Sequence, residues 1–299
     1  MATSRFVRDT GLTARMVLTM FLLGGLFVAL VVVLMLAFRG YSVLIAAIAI
    51  GIAFYQWWSS DTVAMRAMRA REVTREEAPE LHGVVDRLCA LADMPKPRVG
   101  VADLAVPNAF ATGRSPERSV VCVTTGILQV LDARELEAVL AHELSHVAHR
   151  DVLVMTVASS AGITAGLLTR FGQLGGMGRS RSAGALPLLL VAVLGSLVVY
   201  AVSFLLLRLL SRYRELSADR AGAYLTLEPA ALASALQRIS GEVSATPRRD
   251  LRAASAASAL CIVPALSGGV GGLLATHPPL RRRLEQLARI QTELSRPAG

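Results

Sequence analysis

Charge is scarce in this chain: 18% of its 299 residues are charged, while 54% are hydrophobic and the mean hydropathy is +0.52. Soluble domains carry about 25% charged and about 45–50% apolar residues, so a wholly soluble chain is excluded. Cysteine is scarcer still. Cys89, Cys122 and Cys261 are odd in number and without metal-like spacing, which excludes a disulfide framework and suits small core hydrophobes in a reducing compartment. Aromatics reach only 5%, and the net charge of +9 comes from arginines scattered beside apolar runs. With no aromatic-interleaved basic platform, nucleic acid is not expected as a partner; an anionic lipid bilayer is.

The shortage of charge is concentrated in runs. Met16–Phe38 holds no charge in 23 positions and Tyr41–Trp58 none in 18, so each can cross about 30 Å of hydrocarbon as a helix. A cleaved signal peptide has an apolar core of only about 7–15 residues followed by a small-residue cleavage site, and the first run lacks both features; a retained anchor is expected. Two further apolar runs, Val152–Leu168 and Ala185–Leu207, flank a Gly, Ser and Arg-rich stretch at 170–184.

If all four runs cross, the polar blocks 59–151 and 208–299 share one side of the membrane. Arg5, Arg8, Arg15, Arg66, Arg69, Arg71, Arg75, Arg212 and Arg214 put that side in the cytoplasm by the positive-inside rule. Arg170, Arg179 and Arg181 run against the rule, which leaves open a hairpin that enters the bilayer without fully crossing. Either geometry returns the chain to the same side.

Within the first polar block, Leu81, Val84, Val85 and Leu88 have helical spacing over 78–91, ahead of the turn Met94-Pro95-Lys96-Pro97. Arg98–Val101, Ala109–Thr112 and Val120–Thr124 read as short strands, a small meander with an edge able to pair with an extended peptide. Asp132 and Glu135 form a capping box that opens a helix striped by Leu136, Val139, Leu140, Leu144 and Val147. Its polar flanks Arg134, Glu135, Glu137, Arg150 and Asp151 predict a helix solvated at the membrane surface.

That helix carries His142-Glu143-Leu144-Ser145-His146. Two imidazoles one turn apart on one face can grip zinc while the intervening carboxylate serves as general base to its water. A catalytic zinc needs a third protein ligand and an open fourth position. Glu215, directly after the fourth apolar run, is the best candidate, with Asp219 one turn later as a partner for a ligating histidine. A surface helix rich in i,i+4 charges would read the same way.

These features resemble the HtpX branch of peptidase family M48, membrane-bound zinc metalloproteases. The resemblance spans nearly the whole chain: paired N-terminal apolar runs, Pro107-Asn-Ala-Phe-Ala-Thr-Gly113, the HExxH pentad, Glu215 with Asp219, and Thr276-His-Pro-Pro279. It implies one zinc ion held by His142, His146 and Glu215, Glu143 as general base, and Asn108 with Ala109 on a substrate-binding edge strand. It also implies a multi-pass plasma-membrane endopeptidase, its catalytic domain facing the cytoplasm, that cleaves misfolded or damaged membrane proteins.

His277 is then either a transition-state group near the cleft or a residue fixing the turn before the basic helix 280–294. His149, where relatives are expected to carry a small polar residue, lies one turn after His146; a fourth protein ligand there would close the site. His82 reads as a solvated or capping histidine.

The expected architecture is a mainly α membrane protein: about four transmembrane or membrane-inserted helices plus a zincin-like α+β catalytic domain with a small edge-strand sheet. Residues 1–58 would hold two transmembrane helices, 59–151 the first catalytic part, 152–207 a membrane hairpin of two helices, and 208–299 the second catalytic part with the third ligand. His146 lies about six residues before the third apolar run and Glu215 about eight after the fourth, which predicts a metal close to the bilayer surface. Residues 241–275 read as either a lid or a membrane-touching loop. Two rival readings share the ligands: a non-catalytic scaffold clamped by zinc, which gives Glu143 no task, and a CAAX-type prenyl-protein protease, whose larger helical chamber fits four spans less well.

Overall fold

The computed structural model describes residues 6–7, 9–37, 39–151, 185–245 and 277–296. The chain divides into two compact units, Met1–Thr13 with Ser60–Val152 and Ser211–Gly299, and Ala14–Ser59 with Leu153–Leu210.

In the second unit the apolar runs become long helices turned inside out relative to a soluble core. Helix α1 (Thr10–Ala37) starts where Asp9 Oδ1 accepts the Leu12 N–H at 2.8 Å, and α2 (Ser42–Ala67) follows a short turn. Two stretches, Thr10–Leu36 and Ser42–Ser59, are long and apolar enough to cross a membrane, yet only 22% and 6% of their apolar windows is buried. A soluble core helix would bury most of that surface; here Phe21 and Val43 are among the most exposed side chains. Leu30 and Leu34 of α1 meet Val199 of α6 (Ala185–Thr226) in a small apolar cluster. The expected third span falls at 152–168, outside the described residues, as do the stretch at 170–184, Cys261 and most of 241–275. Four spans are therefore not established; the described residues hold two candidates, and the fourth run is the opening of the 42-residue helix α6.

The first unit holds a four-stranded sheet. Its strands are β1 (Ala70–Glu72), β2 (Arg98–Ala102), β3 (Ala109–Gly113) and β4 (Ser119–Thr124). They lie in the order β1-β2-β4-β3, with β2 and β4 parallel and both outer pairs antiparallel. This corrects the expected meander. Ser119–Thr124 is buried at all six positions, with valines and Cys122 facing both ways, and an apolar run of that kind takes the sheet centre. β3 is displaced to the edge. β1, only Ala-Arg-Glu, has no alternation to read and was not foreseen.

Helix α3 (Pro79–Ala92) presents Leu81, Val85 and Leu88 to the core and ends at Asp93 in the left-handed region, φ +51°. Helix α4 (Thr125–Val130) is capped by Thr124, whose side chain accepts from the Ile127 N–H. Helix α5 (Ala133–His149) opens with the full Asp132/Glu135 capping box and closes at Arg150, φ +58°. Its environment corrects the sequence reading: every residue from Ala138 to Val147 is buried, so α5 is a core helix and not a solvated one. The misleading charges are satisfied by distant partners. Glu135 accepts from Ser234 Oγ at 2.6 Å and pairs with Arg238 Nε at 3.2 Å, both on α7 (Pro229–Ala245). The C-terminal helix α8 (Leu280–Leu294) adds Leu287 and Ile290 to the same core. Cys89 and Cys122 are buried, and burial pushes their thiols up to about 11 and about 12, which suits packing rather than reactivity.

Candidate metal centre

The central part of the site is built by two helices and one tail. α5 contributes His142, Glu143 and His146, α6 contributes Glu215 and Asp219, and the residues before α8 contribute His277. α5 and α6 approach closely because position 222 is glycine: a Cβ there would stand 3.0 Å from the His142 nitrogen and 3.2 Å from its Cα.

His142, His146 and Glu215 converge, each offering one ligand atom within 4.8 Å of the others. His142 Nε2 lies 3.5 Å from Glu215 Oε2, and His146 Nε2 lies 3.6 Å from Glu215 Oε1. Donors bound to one tetrahedral zinc at about 2.0–2.1 Å would stand about 3.3 Å apart, so the spacing fits. His142 Nε2 is buried and has no hydrogen-bond partner, an expensive arrangement unless the atom is kept for a ligand.

Each imidazole is held from behind by a carboxylate. Asp151 Oδ2 accepts from His146 Nδ1 at 2.8 Å, which leaves Nε2 as the lone-pair end facing Glu215. Asp219 Oδ1 stands 3.0 Å from His142 Nδ1, close in distance though off-line for a hydrogen bond. Each carboxylate has its own arginine. Arg283 of α8 grips Asp219 twice, Nε to Oδ2 at 2.8 Å and Nη2 to Oδ1 at 2.6 Å. Arg214 lies 3.1 Å from Asp151 Oδ2 and 3.6 Å from Glu215 Oε1. The sequence reading named Asp219 but missed Asp151, Arg214 and Arg283. Asp151 looked like a solvated helix flank, and neither arginine differs locally from the many surface ones.

Burial dominates the electrostatics, and partners decide the outcome. Burial raises the carboxyls of Asp151, Asp219 and Glu215, but Arg214, Arg283 and His277 respectively lead the interactions that hold them below their ordinary values. Burial disfavours charge on His142 as well, yet Asp219 and Glu215 push it up to about 9. Glu143 is raised by burial against the pull of His142 and His146. When Glu143, Asp151, Glu215 and Asp219 are ionised and the imidazoles neutral, four carboxylates face two guanidinium groups. The remaining charge is what a divalent cation offsets.

Glu143 also touches the sheet: its Oε2 accepts the Ala111 N–H of β3 at 3.0 Å. β3 pairs with β4 on one side only, so this N–H belongs to the unpaired edge. The edge is not open to solvent, since all five β3 residues are buried. Asn108 and Ala109 are buried too, and Asn108 is tied to Thr124 through its backbone N–H and carbonyl. His277 is brought to the site, Nδ1 lying 3.1 Å from Glu215 Oε2. His149 is not among the clustered donors; its ring lies against Phe6 with centroids 4.8 Å apart. His82 is buried rather than solvated, bonded through Nε2 to the Val73 carbonyl and through Nδ1 to Lys96.

Two histidines at i,i+4, a carboxylate from a second helix and a further carboxylate beside an unpaired strand define the HExxH-plus-glutamate class of metallopeptidase. The model of peptidase family M48 matches residues 75–291, and this chain belongs to that family of metalloproteases. The Protease HtpX homolog 1 of Streptomyces coelicolor is 53% identical, covering 97% of this chain and 96% of its own length. The Protease HtpX homologs of Moorella thermoacetica and Pyrococcus furiosus are 48% and 38% identical over 96% and 95% of this chain, and 96% and 98% of their own lengths. A solved structure, that of S. mikatae Ste24p, covers 93% of this chain and 67% of its own at a TM-score of 0.51 and 17% identity, a likeness of fold alone.

Proposed function

We propose that the chain is a multi-pass plasma-membrane endopeptidase, active with one zinc ion, that cleaves unfolded stretches of misfolded or damaged membrane proteins at the cytoplasmic face. The observation that carries this reading is the meeting of three metal donors with Glu143 at the unpaired edge of β3. His142, His146 and Glu215 would hold the ion. Asp219 and Asp151, backed by Arg283 and Arg214, would orient the two imidazoles. Zinc, when bound, supplies a Lewis acid for the scissile carbonyl and brings the pKa of its water toward about 7.

The remaining chemistry belongs to side chains and backbone. An extended substrate would align against β3, offered the edge groups of Ala109 and Ala111 next to Asn108. Glu143, whose basicity burial raises, takes the proton of the attacking water and delivers it to the departing amine. His277, beside Glu215, would steady the developing oxyanion. Because the donors and β3 are buried, entry requires an unfolded stretch, and folded soluble proteins should be poor substrates. Parity of the apolar runs and the flanking arginines support four membrane passages with residues 59–151 and 208–299 both on the cytoplasmic side.

The test is Glu143→Gln in the detergent-solubilised full chain, with zinc content read by mass spectrometry beside cleavage of an unfolded membrane protein. The expected result is one zinc per chain in both proteins and cleavage lower by about 10²–10⁴ in the variant. Equal cleavage by the two would remove Glu143 from the chemistry, and zinc in both with cleavage by neither would favour the zinc-clamped scaffold.

A further inference from the structure

A concavity lies outside the metal site. It is a groove of about 570 Å³ between α6 and the first turns of α8, bounded by Leu216 and Pro279. Its lining borders the site along the chain, since Leu216 follows Glu215 and Pro279 lies two residues after His277. Gln286 closes the floor by donating to the Leu216 carbonyl at 2.6 Å. Arg281, Arg282 and Arg289 line the groove against one carboxylate, Glu285, which is already paired with Arg281 at 2.8 Å. Arg282 and Arg289 have no salt bridge among the described residues and are exposed. The adjoining pocket shares Arg289 and adds Arg220, but there Asp9 and Glu293 balance the charge. Of these two pockets, the groove is the one whose lining arginines outnumber its carboxylates.

We propose that this groove is an exosite for an acidic stretch of the polypeptide substrate, an inference that rests on the endopeptidase reading above. Arg282 and Arg289 are seven residues apart, which places them two turns apart on one helix face, about 10.5 Å along the axis. An extended chain advances about 3.3 Å per residue, so two acidic side chains three residues apart match the spacing. Guanidinium forks suit carboxylates. A bilayer phosphate is the less suitable occupant. A single phosphate would engage one of the two guanidinium groups, whereas two carboxylates on one extended chain engage both.

The experiment uses the full-length zinc-loaded protein in micelles and two peptides sharing one cleavable core. One carries two Glu residues three apart on a flank, and the other carries Gln at those positions. In the wild type the ratio of kcat/KM, Glu peptide over Gln peptide, exceeds one and falls as salt rises to about 0.3 M. In Arg282→Gln/Arg289→Gln the ratio drops about threefold or more, chiefly through KM. A wild-type ratio of one, or a ratio the substitutions leave unchanged, overturns the exosite. Anisotropy of the labelled Glu peptide on Glu143→Gln keeps the two readings apart. Arginine-dependent binding without cleavage of either peptide by the wild type supports the acidic-peptide site and sinks the peptidase. An unchanged peptide ratio, with phosphatidylglycerol vesicle binding lost in the double variant, overturns the exosite in favour of lipid.

Discussion

The two histidines of the pentad are supported differently. His142 is backed by Asp219 and Arg283, a chain that joins α5, α6 and α8. Asp219 and the Arg283 side chain are buried to 0% and 2% exposure, and the arginine binds both carboxylate oxygens. His146 is backed by Asp151, two residues past the end of its own helix, and by Arg214, which divides itself between Asp151 and Glu215. The first arm therefore carries tertiary structure as well as ligand orientation, because it is what ties the C-terminal helix to the metal cluster through polar groups. The second arm mostly orients.

The difference is broken most severely at Arg283. Arg283→Ala would leave Asp219 buried with its main counter-charge gone, a loss expected to cost about 3–5 kcal/mol, read as a lowered unfolding midpoint of the metal-free protein. Asp151→Asn should act on the other arm without comparable unfolding. Expected there is a 10–100-fold loss of zinc affinity, measured by competition with a chelator, with the unfolding midpoint nearly unchanged. Equal destabilisation by the two substitutions would erase the distinction between a structural arm and an orienting one.

How much of this could be read from residues alone follows from the range of each interaction. The α5 capping box, the extent of α3 and the positions of β2, β3 and β4 are local patterns, and they were legible within a residue or two. Strand order was not, because β4 wins the centre by being buried on both faces, which the run Ser-Val-Val-Cys-Val-Thr hints at only in hindsight. The immersion of α5 was hidden for the same reason. Glu135 looks exposed until Ser234 and Arg238, about a hundred residues on, supply its partners. His142 and His146 stand out because i,i+4 spacing is a short-range rule, whereas Glu215, 69 residues further on, stands out only by its place after the fourth apolar run and by the family resemblance, and the fold brings the three together. Arg214 and Arg283 do not stand out, since a buried arginine has the same neighbours in sequence as a solvated one.

Protonation sharpens the contrast on the His142 side. Its carboxylate partners raise this imidazole from 6.5 to about 9 in the metal-free site, so below that pH the ring carries a proton that a metal must displace. A raised histidine pKa favours the protonated, metal-free form at low pH. The apparent zinc affinity should accordingly climb by about tenfold per pH unit through neutrality and flatten near pH 9. Calorimetric titration in buffers of different ionisation enthalpy reads the released proton directly. Proton release that does not change between pH 6 and 9 would remove His142 as the titrating ligand.

The smallest perturbation tests the packing that lets the His142 arm form at all. Gly222 faces the backbone of α5, and the Cβ of an alanine there would meet the His142 nitrogen at 3.0 Å and the Ala141 carbonyl carbon at 3.3 Å. These are backbone atoms inside a helix, so neither can rotate away, and the contact is relieved only if α5 and α6 separate by a few tenths of an ångström. Overpacking of that size belongs at the low end of the usual range, about 1 kcal/mol. Its effect should nevertheless be directional. Separation draws Glu215 and Asp219 away from His142 together, and Gly222→Ala should weaken zinc binding while the Asp132/Glu135-capped start of α5, remote from the contact, keeps its amide-exchange protection. Loss of protection along the whole of α5 would mean that Gly222 serves general core packing and not the approach of the third ligand.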